Sequence, residues 1–192
     1  MTDMGFDIDV ATNIKIRKIN LSNGIDVAIP GDISSASFII SAAILIPGSS
    51  VTVENVLYNK NRFTYIDVLI TMGAKIKIEN ISNRMNGVQS CNIIASYSSN
   101  LNGISINENQ IIAMIDEIPI FCIIASFARG ASIIKNAKEL KFKESNRLLS
   151  IYENLSSMKA DITLKNDTIT IFGQKKLYNT SIIHNNDHRI AM

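Results

Sequence analysis

The sequence contains no tryptophan, only three prolines and two cysteines, and aromatic residues make up just 6% of it. So few rings leave no series of platforms on which nucleobases could stack. Neither charge sign dominates: 19 Lys and Arg are dispersed among 17 Asp and Glu, for a formal net charge of +2. No basic stripe stands out, which removes the electrostatic footprint of a nucleic-acid partner. Cys91 and Cys122 lie in unrelated contexts, without a CxxC spacing or a nearby His. They read as reduced structural thiols of a cytoplasmic protein, not as a disulfide framework or a metal site. The opening MTDMGFDIDV lacks a basic region followed by an apolar run, so it does not read as a signal peptide. The longest apolar stretch, Ala36 to Pro47, carries several serines and is too short to span a bilayer, so a membrane partner is not expected. Phosphate loops of the GxxxxGK type, GxGxxG, HExxH and a nucleophile elbow are also missing, and with them the usual signals for a bound nucleotide cofactor, a catalytic zinc or a serine hydrolase.

What is present is an internal repeat. One segment runs Gly31-Asp32-Ile33-Ser34-Ser35-Ala36-Ser37, then Pro47-Gly48, then Met72-Gly73-Ala74-Lys75-Ile76. A second runs Asp116-Glu117-Ile118-Pro119-Ile120-Phe121, then Arg129-Gly130, then Met158-Lys159-Ala160-Asp161-Ile162. Asp32 and Asp116 are 84 residues apart, Gly48 and Gly130 82, and Met72 and Met158 86. A third copy opens at Asp187-His188-Arg189-Ile190-Ala191-Met192, and Met4 to Ile8 echoes Met72 to Ile76.

Each copy predicts the same elements: a small apolar helix after an acidic residue (about 34–45 and 119–128), a Gly turn, and a strand (50–53 and 131–134). An amphipathic helix (63–72 and 146–158) and closing strands (75–79, then 161–164 and 168–172) complete the unit. The implied fold class is α/β, built from repeated βαβαββ units, about two of them with partial ones at both ends. The first helix of each copy is apolar on nearly every face and is therefore expected to be buried. Several buried helix starts in one region would suit anionic substrates.

Three clusters carry chemistry beyond packing. Lys143-Glu144-Ser145-Asn146-Arg147 opens an amphipathic helix, where two cations oppose the helix dipole. An anionic ligand would remove that conflict, and a solvated helix start is the alternative. Asp116-Glu117-Ile118-Pro119 precedes a buried helix, so either carboxylate can cap it, with Pro119 in its first turn. A cap is compatible with a catalytic role for the same group. Asn186-Asp187-His188-Arg189 sets a His beside an Arg at a third helix start, and Asp32-Ile33-Ser34-Ser35 can cap a helix or touch a phosphate.

Taken in order, Gly31 to Ser37, Ile115 to Pro119, Glu139 to Arg147 and Asp187 to Met192 resemble the 5-enolpyruvylshikimate-3-phosphate synthases (3-phosphoshikimate 1-carboxyvinyltransferases), over essentially the whole chain. The resemblance implies the enolpyruvyl transferase fold of two similar domains with the active site between them. Residues 1–30 would be the tail of the first domain. Residues 31–192 would be two βαβαββ units of the second and the start of its third. It also implies transfer of the enolpyruvyl group of phosphoenolpyruvate to the 5-hydroxyl of shikimate 3-phosphate with release of phosphate, without a cofactor or metal. Asp116 would accept the hydroxyl proton and, with Lys143, bind shikimate 3-phosphate. Glu144 would be the second proton-transfer group, Arg147 and Arg189 would hold phosphoenolpyruvate, and His188 and Asp32 would assist nearby. Many relatives carry Asn where Glu139 stands, so no substrate contact is carried over there.

The first-domain motifs of the family would precede Met1 and a late lysine would follow Met192, so the chain is expected to be a fragment with one wall of the cleft and negligible turnover alone. Two other readings compete. One is a non-catalytic remnant or split half that binds shikimate 3-phosphate or a complementary N-terminal chain. The other is a relative of the transferase acting on UDP-N-acetylglucosamine, which the Lys143–Arg147 and Asp187–Arg189 motifs resemble less.

Overall fold

The structure is a computed structural model that describes residues 7–17, 28–83, 88–173 and 176–192. It opens with a hairpin of β1 (Asp7–Val10) and β2 (Ile14–Arg17), paired antiparallel from Asp7↔Arg17 to Val10↔Ile14. The echo at Met4 to Phe6 lies outside the described residues, while Asp7 and Ile8 fall in β1.

The first full unit starts at Gly31, which bridges Val56 in parallel, and passes into α1 (Ile33–Leu45). Asp32 caps α1 by accepting from the Ser35 N–H at 3.0 Å. The helix is buried on most faces even though it carries serines. Ser37 Oγ donates to the Ser34 carbonyl and Ser41 Oγ to the Ser37 carbonyl, so these hydroxyls are satisfied within the helix. Then come β3 (Ser50–Leu57), a 3₁₀ turn at Lys60–Arg62, α2 (Thr64–Thr71), β4 (Lys75–Asn83) and β5 (Gln89–Ser96).

The second unit runs β6 (Ser105–Ile106), α3 (Glu108–Ala113), α4 (Ile118–Ala125), β7 (Ala131–Ile134), a 3₁₀ turn at Lys138–Phe142, α5 (Arg147–Ser157), β8 (Asp161–Lys165) and β9 (Thr168–Phe172). A last short helix, α6 (His188–Ala191), begins the third copy.

The two sheets have one topology. The strand order is β3-β5-β4 in the first, with Gly31 beside β3, and β6-β7-β9-β8 in the second. In each, the entering segment is parallel to the next strand and the last two strands close as an antiparallel pair. The backbone repeats in detail as well. Left-handed conformations recur at Gly48 and Gly130 (φ 79° and 82°), Asn55 and Asn136 (both 58°), Asn80 and Asn166 (54° and 48°), and Gly73 and Lys159 (97° and 64°). These turns need a positive φ, which Gly and Asn supply most readily. Lys159 shows that the repeat holds its shape where the glycine is replaced.

This is the α/β architecture of repeated βαβαββ units expected from the sequence, with three adjustments. The helix expected over 119–128 begins at Ile118 and ends at Ala125, where Ser126 to Ala128 form turns onto the backbone carbonyls behind them. The strand expected at 50–53 extends to Leu57 through an irregularity between Val53 and Val56. Three elements, β5, β6 and α3, had no counterpart in the sequence reading.

For the site, the important consequence is the meeting of three helix starts. α4 packs against α1, α5 and α6, and because Ser34 bonds Glu117 and Arg189 acts on Asp116, the starts of α1, α4 and α6, one from each copy, lie in one region. α5 also fixes the approach to α6. Asn154 Nδ2 donates to the Ile183 carbonyl at 3.0 Å, its Oδ1 accepts from the Ile183 N–H at 2.9 Å, and Asn185 Nδ2 donates to Ser150 Oγ at 3.1 Å.

Candidate active site

Arg147, the first residue of α5, is the centre of the site. Asn146 caps the helix by accepting from the Leu149 N–H at 3.2 Å, which turns the Arg147 side chain inward, where it is 1% exposed. A buried guanidinium needs partners in several directions, and three carboxylates supply them. Nε donates to Asp187 Oδ2 and Nη1 to Asp116 Oδ1, both at 2.8 Å, and Nη2 donates to Glu144 Oε2 at 2.5 Å. Asp187 is wholly buried, Asp116 is 31% exposed and Glu144 is 50% exposed. Asp187 also accepts from Ser145 Oγ and from the Arg189 N–H, both at 3.0 Å, and so caps α6 while anchoring Arg147. For Arg147 the conflict with the helix dipole is therefore relieved by the chain's own acids, while Lys143 keeps an unpaired charge among the described residues.

Electrostatics follow from this packing. Burial raises the Asp116 carboxyl, but the Arg147 hydrogen bond and charge, with the charges of Arg189 and Lys143, outweigh it and hold the group below the ordinary carboxylate value. Asp187 is raised by burial and lowered further by Arg147 and the Arg189 N–H, so it too lies below the ordinary value. Burial pulls Arg147 down, yet Asp187 and Asp116 more than compensate. Asp116, Asp187 and Arg147 are therefore all ionised at neutral pH.

Glu117 behaves differently from either capping expectation. It occupies the N-cap position of α4, yet neither it nor Asp116 accepts a bond from that helix's N–H groups. Asp116 turns to Arg147. Glu117 turns to α1, where Ser34 Oγ donates to its Oε1, and Arg62 Nη2 donates to the same hydroxyl at 3.0 Å. Burial pushes the Glu117 carboxyl above its ordinary value, against the opposing pull of Ser34 and Arg62.

The structure thus brings Asp116, Glu144 and Arg147 into direct contact. Arg189, half-buried, and Lys143, exposed, lie close enough to act on Asp116 through their charges. His188 is exposed on α6 beside them, and Asp32 is exposed and caps α1. Neither Lys143 nor Arg189 has an ion-pair partner among the described residues. No cluster of metal-ligating side chains occurs among the described residues, and none of their helices is long and apolar enough to cross a membrane. Sequence reasoning left Asp187 and Arg62 without assigned roles and offered Glu117 only as a cap and Ser34 only within a capping or phosphate-touching segment. The clue for Asp187 is the repeat, in which Asp32, Glu117 and Asp187 all stand at the N-cap of the copy's first helix.

The profile of EPSP synthase (3-phosphoshikimate 1-carboxyvinyltransferase) matches residues 1–192. The chain belongs to the EPSP synthase family. A curated member, the 3-phosphoshikimate 1-carboxyvinyltransferase of Oceanobacillus iheyensis, is 43% identical over 177 residues, which are 92% of this chain and 41% of that protein. The enzyme of the same name from Thermodesulfovibrio yellowstonii is 38% identical over 194 residues, covering 100% of this chain and 45% of its own length. Among solved structures, EPSP synthase from Acinetobacter baumannii superposes with a TM-score of 0.84 at 32% identity, over 99% of this chain and 44% of that one. The enolpyruvyl transferase NikO from Streptomyces tendae shares the fold, with a TM-score of 0.61 at 14% identity. The chain therefore spans under half the length of the EPSP synthases it matches, and its repeated units are those of the enolpyruvyl transferase fold.

Proposed function

We propose that this chain supplies one wall of an active site that transfers the enolpyruvyl group of phosphoenolpyruvate to the 5-hydroxyl of shikimate 3-phosphate, releasing phosphate. The observation that carries the reading is Asp116: an ionised, part-exposed carboxylate held by Arg147 and faced by two cations, Arg189 and Lys143, that no side chain of the described residues neutralises. A base flanked by open cations suits a hydroxyl nucleophile that arrives on an anionic molecule.

Asp116 takes the hydroxyl proton, and Lys143 with it contacts shikimate 3-phosphate. Asp116 at rest is a weak base because cations surround it. Two anionic substrates would neutralise Arg189 and Lys143 and so raise its proton affinity when the proton has to move. Arg189 and Arg147 hold phosphoenolpyruvate. For Arg147 this means giving up a present partner, and the Nη2 bond to half-exposed Glu144 is the one a ligand can replace with least desolvation. Glu144, released in that exchange, is the proton carrier for the methylene carbon, and His188 assists from the start of α6. Asp32, already committed to capping α1, contributes by fixing that helix.

On this reading residues 1–30 close a first domain, 31–192 belong to a second, the setting is cytoplasmic, and the opposite wall is the partner the chemistry requires. Thermal shift of the chain against each compound tests the proposal, since a ligand that binds the folded state raises its melting temperature. Shikimate 3-phosphate and phosphoenolpyruvate should stabilise the chain, and Arg189→Ala should abolish the phosphoenolpyruvate response. Stabilisation by UDP-N-acetylglucosamine instead would refute the assignment.

A further inference from the structure

Glu117 uses its carboxyl in a way that stability does not require. The residue at a helix N-cap ordinarily accepts from the helix's own first-turn N–H groups, and Glu117, which holds that position, does not. It reaches α1, 83 residues earlier, where Ser34 Oγ donates to Oε1, while Arg62 Nη2 stands 3.9 Å from the same oxygen. The carboxyl is wholly buried, and Oε2 has no hydrogen-bond partner among the described residues. Burying a carboxyl with one oxygen unmatched is unfavourable.

The neighbouring residue explains what the arrangement achieves. Asp116 and Glu117 are consecutive, and their side chains are held from opposite directions: Asp116 by Arg147 of α5, Glu117 by Ser34 of α1 and Arg62 ahead of α2. The linkage also repeats from unit to unit. Arg62 joins Ser34 of its own unit to Glu117 of the next, and Arg147 joins Asp116 of its own unit to Asp187 of the next.

We propose that Glu117 is a positioning residue for Asp116: tied to Ser34 and Arg62, it fixes the start of α4 against α1, so that the Asp116 carboxylate meets Arg147 instead of turning back to cap its own helix. The assignment gains its importance from the reading of Asp116 as the base, but its test is independent of turnover.

The test follows the Asp116 carboxyl carbon by NMR through a pH titration of the whole chain, in wild type, Ser34→Ala, Glu117→Met and Glu117→Gln. The charged groups acting on Asp116 are Arg147 from α5, Arg189 from α6 and Lys143 from the loop before α5, and Glu117 adjoins it; those facing Glu117 are Arg62, Asp116 and Arg189, with the Tyr65 hydroxyl of α2. The sign of the change separates two causes. Loss of negative charge at position 117 by itself lowers the Asp116 midpoint or leaves it in place. Loss of the tie frees Asp116 from Arg147 and raises the midpoint toward the ordinary carboxylate range. Ser34→Ala and Glu117→Met should raise it, and Glu117→Gln, which keeps an acceptor for Ser34, should stay with wild type. Midpoints in Ser34→Ala and Glu117→Met that equal or fall below wild type would overturn the proposal. Should Glu117→Met not fold, Ser34→Ala, which removes one hydroxyl from a distant helix, decides alone. A chain that binds no shikimate 3-phosphate would count against the catalytic reading and leave this result intact.

Discussion

Replacing Arg147 with Met should strongly destabilise the chain, and the structure says which partner is responsible. Three carboxylates lose their cation, but they differ in access to water. Glu144 is half-exposed and rehydrates, so its loss falls in the range of about 0–1 kcal/mol typical of surface pairs. Asp116, at 31% exposure, is partly rescued in the same way. Asp187 is wholly buried and would be left as an uncompensated charge, for which removal of one partner costs about 3–5 kcal/mol. In a chain of 192 residues each kcal/mol corresponds to about 2–4 °C, so Arg147→Met should melt about 10 °C lower. The double variant Arg147→Met/Asp187→Asn removes the stranded charge while leaving a side chain that caps α6 well. It should therefore recover more than half of the loss. Urea denaturation followed by far-UV circular dichroism, arranged as a double-mutant cycle, gives both numbers. A cost below about 1 kcal/mol for Arg147→Met, or simple additivity with Asp187→Asn, would mean that no charge is stranded at Asp187.

Stability should depend on pH through two opposed windows. Asp116 and Asp187 are lowered in the fold, so their contribution is present above the unfolded carboxylate value of about 3.9 and disappears as pH falls through their folded values. Glu117 is raised above 4.5, so its contribution is present below that value and is lost as pH rises through its folded one. Glu117→Gln should remove the second dependence and keep the first, as denaturation midpoints measured across pH will show; an unchanged loss on the alkaline side would contradict it. Cys91 and Cys122 are buried and burial raises both thiols, so neither should react with a thiol reagent until the chain unfolds; rapid labelling of the native chain would count against the packing. Gly173→Ala should be far more damaging than Gly48→Ala. A Cβ at Gly173 would come within 1.6 Å of the Ala128 carbonyl oxygen, whereas one at Gly48 meets nothing and suffers only from its positive φ, about 1 kcal/mol. Similar melting temperatures for the two variants would show that β9 does not approach α4's exit so closely.

Much of this was legible in the sequence because the chain states its architecture twice. The offset of 84 between Asp32 and Asp116 already fixed α1 and α4 as equivalent. The turn at Gly130 and the alternation in TITIF place β7 and β9 at the bounds expected for them. β5 escaped because QSCNIIAS mixes polar and apolar residues on both faces; its strand character comes from pairing with β3 and β4 on either side. α3 carried a readable signal, the Asn107–Gln110 capping box, which periodicity alone did not flag. In the site, the residues that come from compact motifs, Lys143 to Arg147 and Asp187 to Arg189, could be named. What could not be read was who neutralises whom. That Asp116 faces Arg147 while its neighbour Glu117 faces Ser34 depends on how α1, α4 and α5 cross, and no local pattern encodes it.

If these residues form one working wall of an enolpyruvyl transferase site, the chain grafted in place of the matching 41% of the Oceanobacillus iheyensis protein should release phosphate from phosphoenolpyruvate. Release should require shikimate 3-phosphate and should be abolished by Asp116→Asn. A folded chimera that releases no phosphate with both substrates present, or one in which Asp116→Asn turns over as fast as its parent, would rule out that role for the wall and its base.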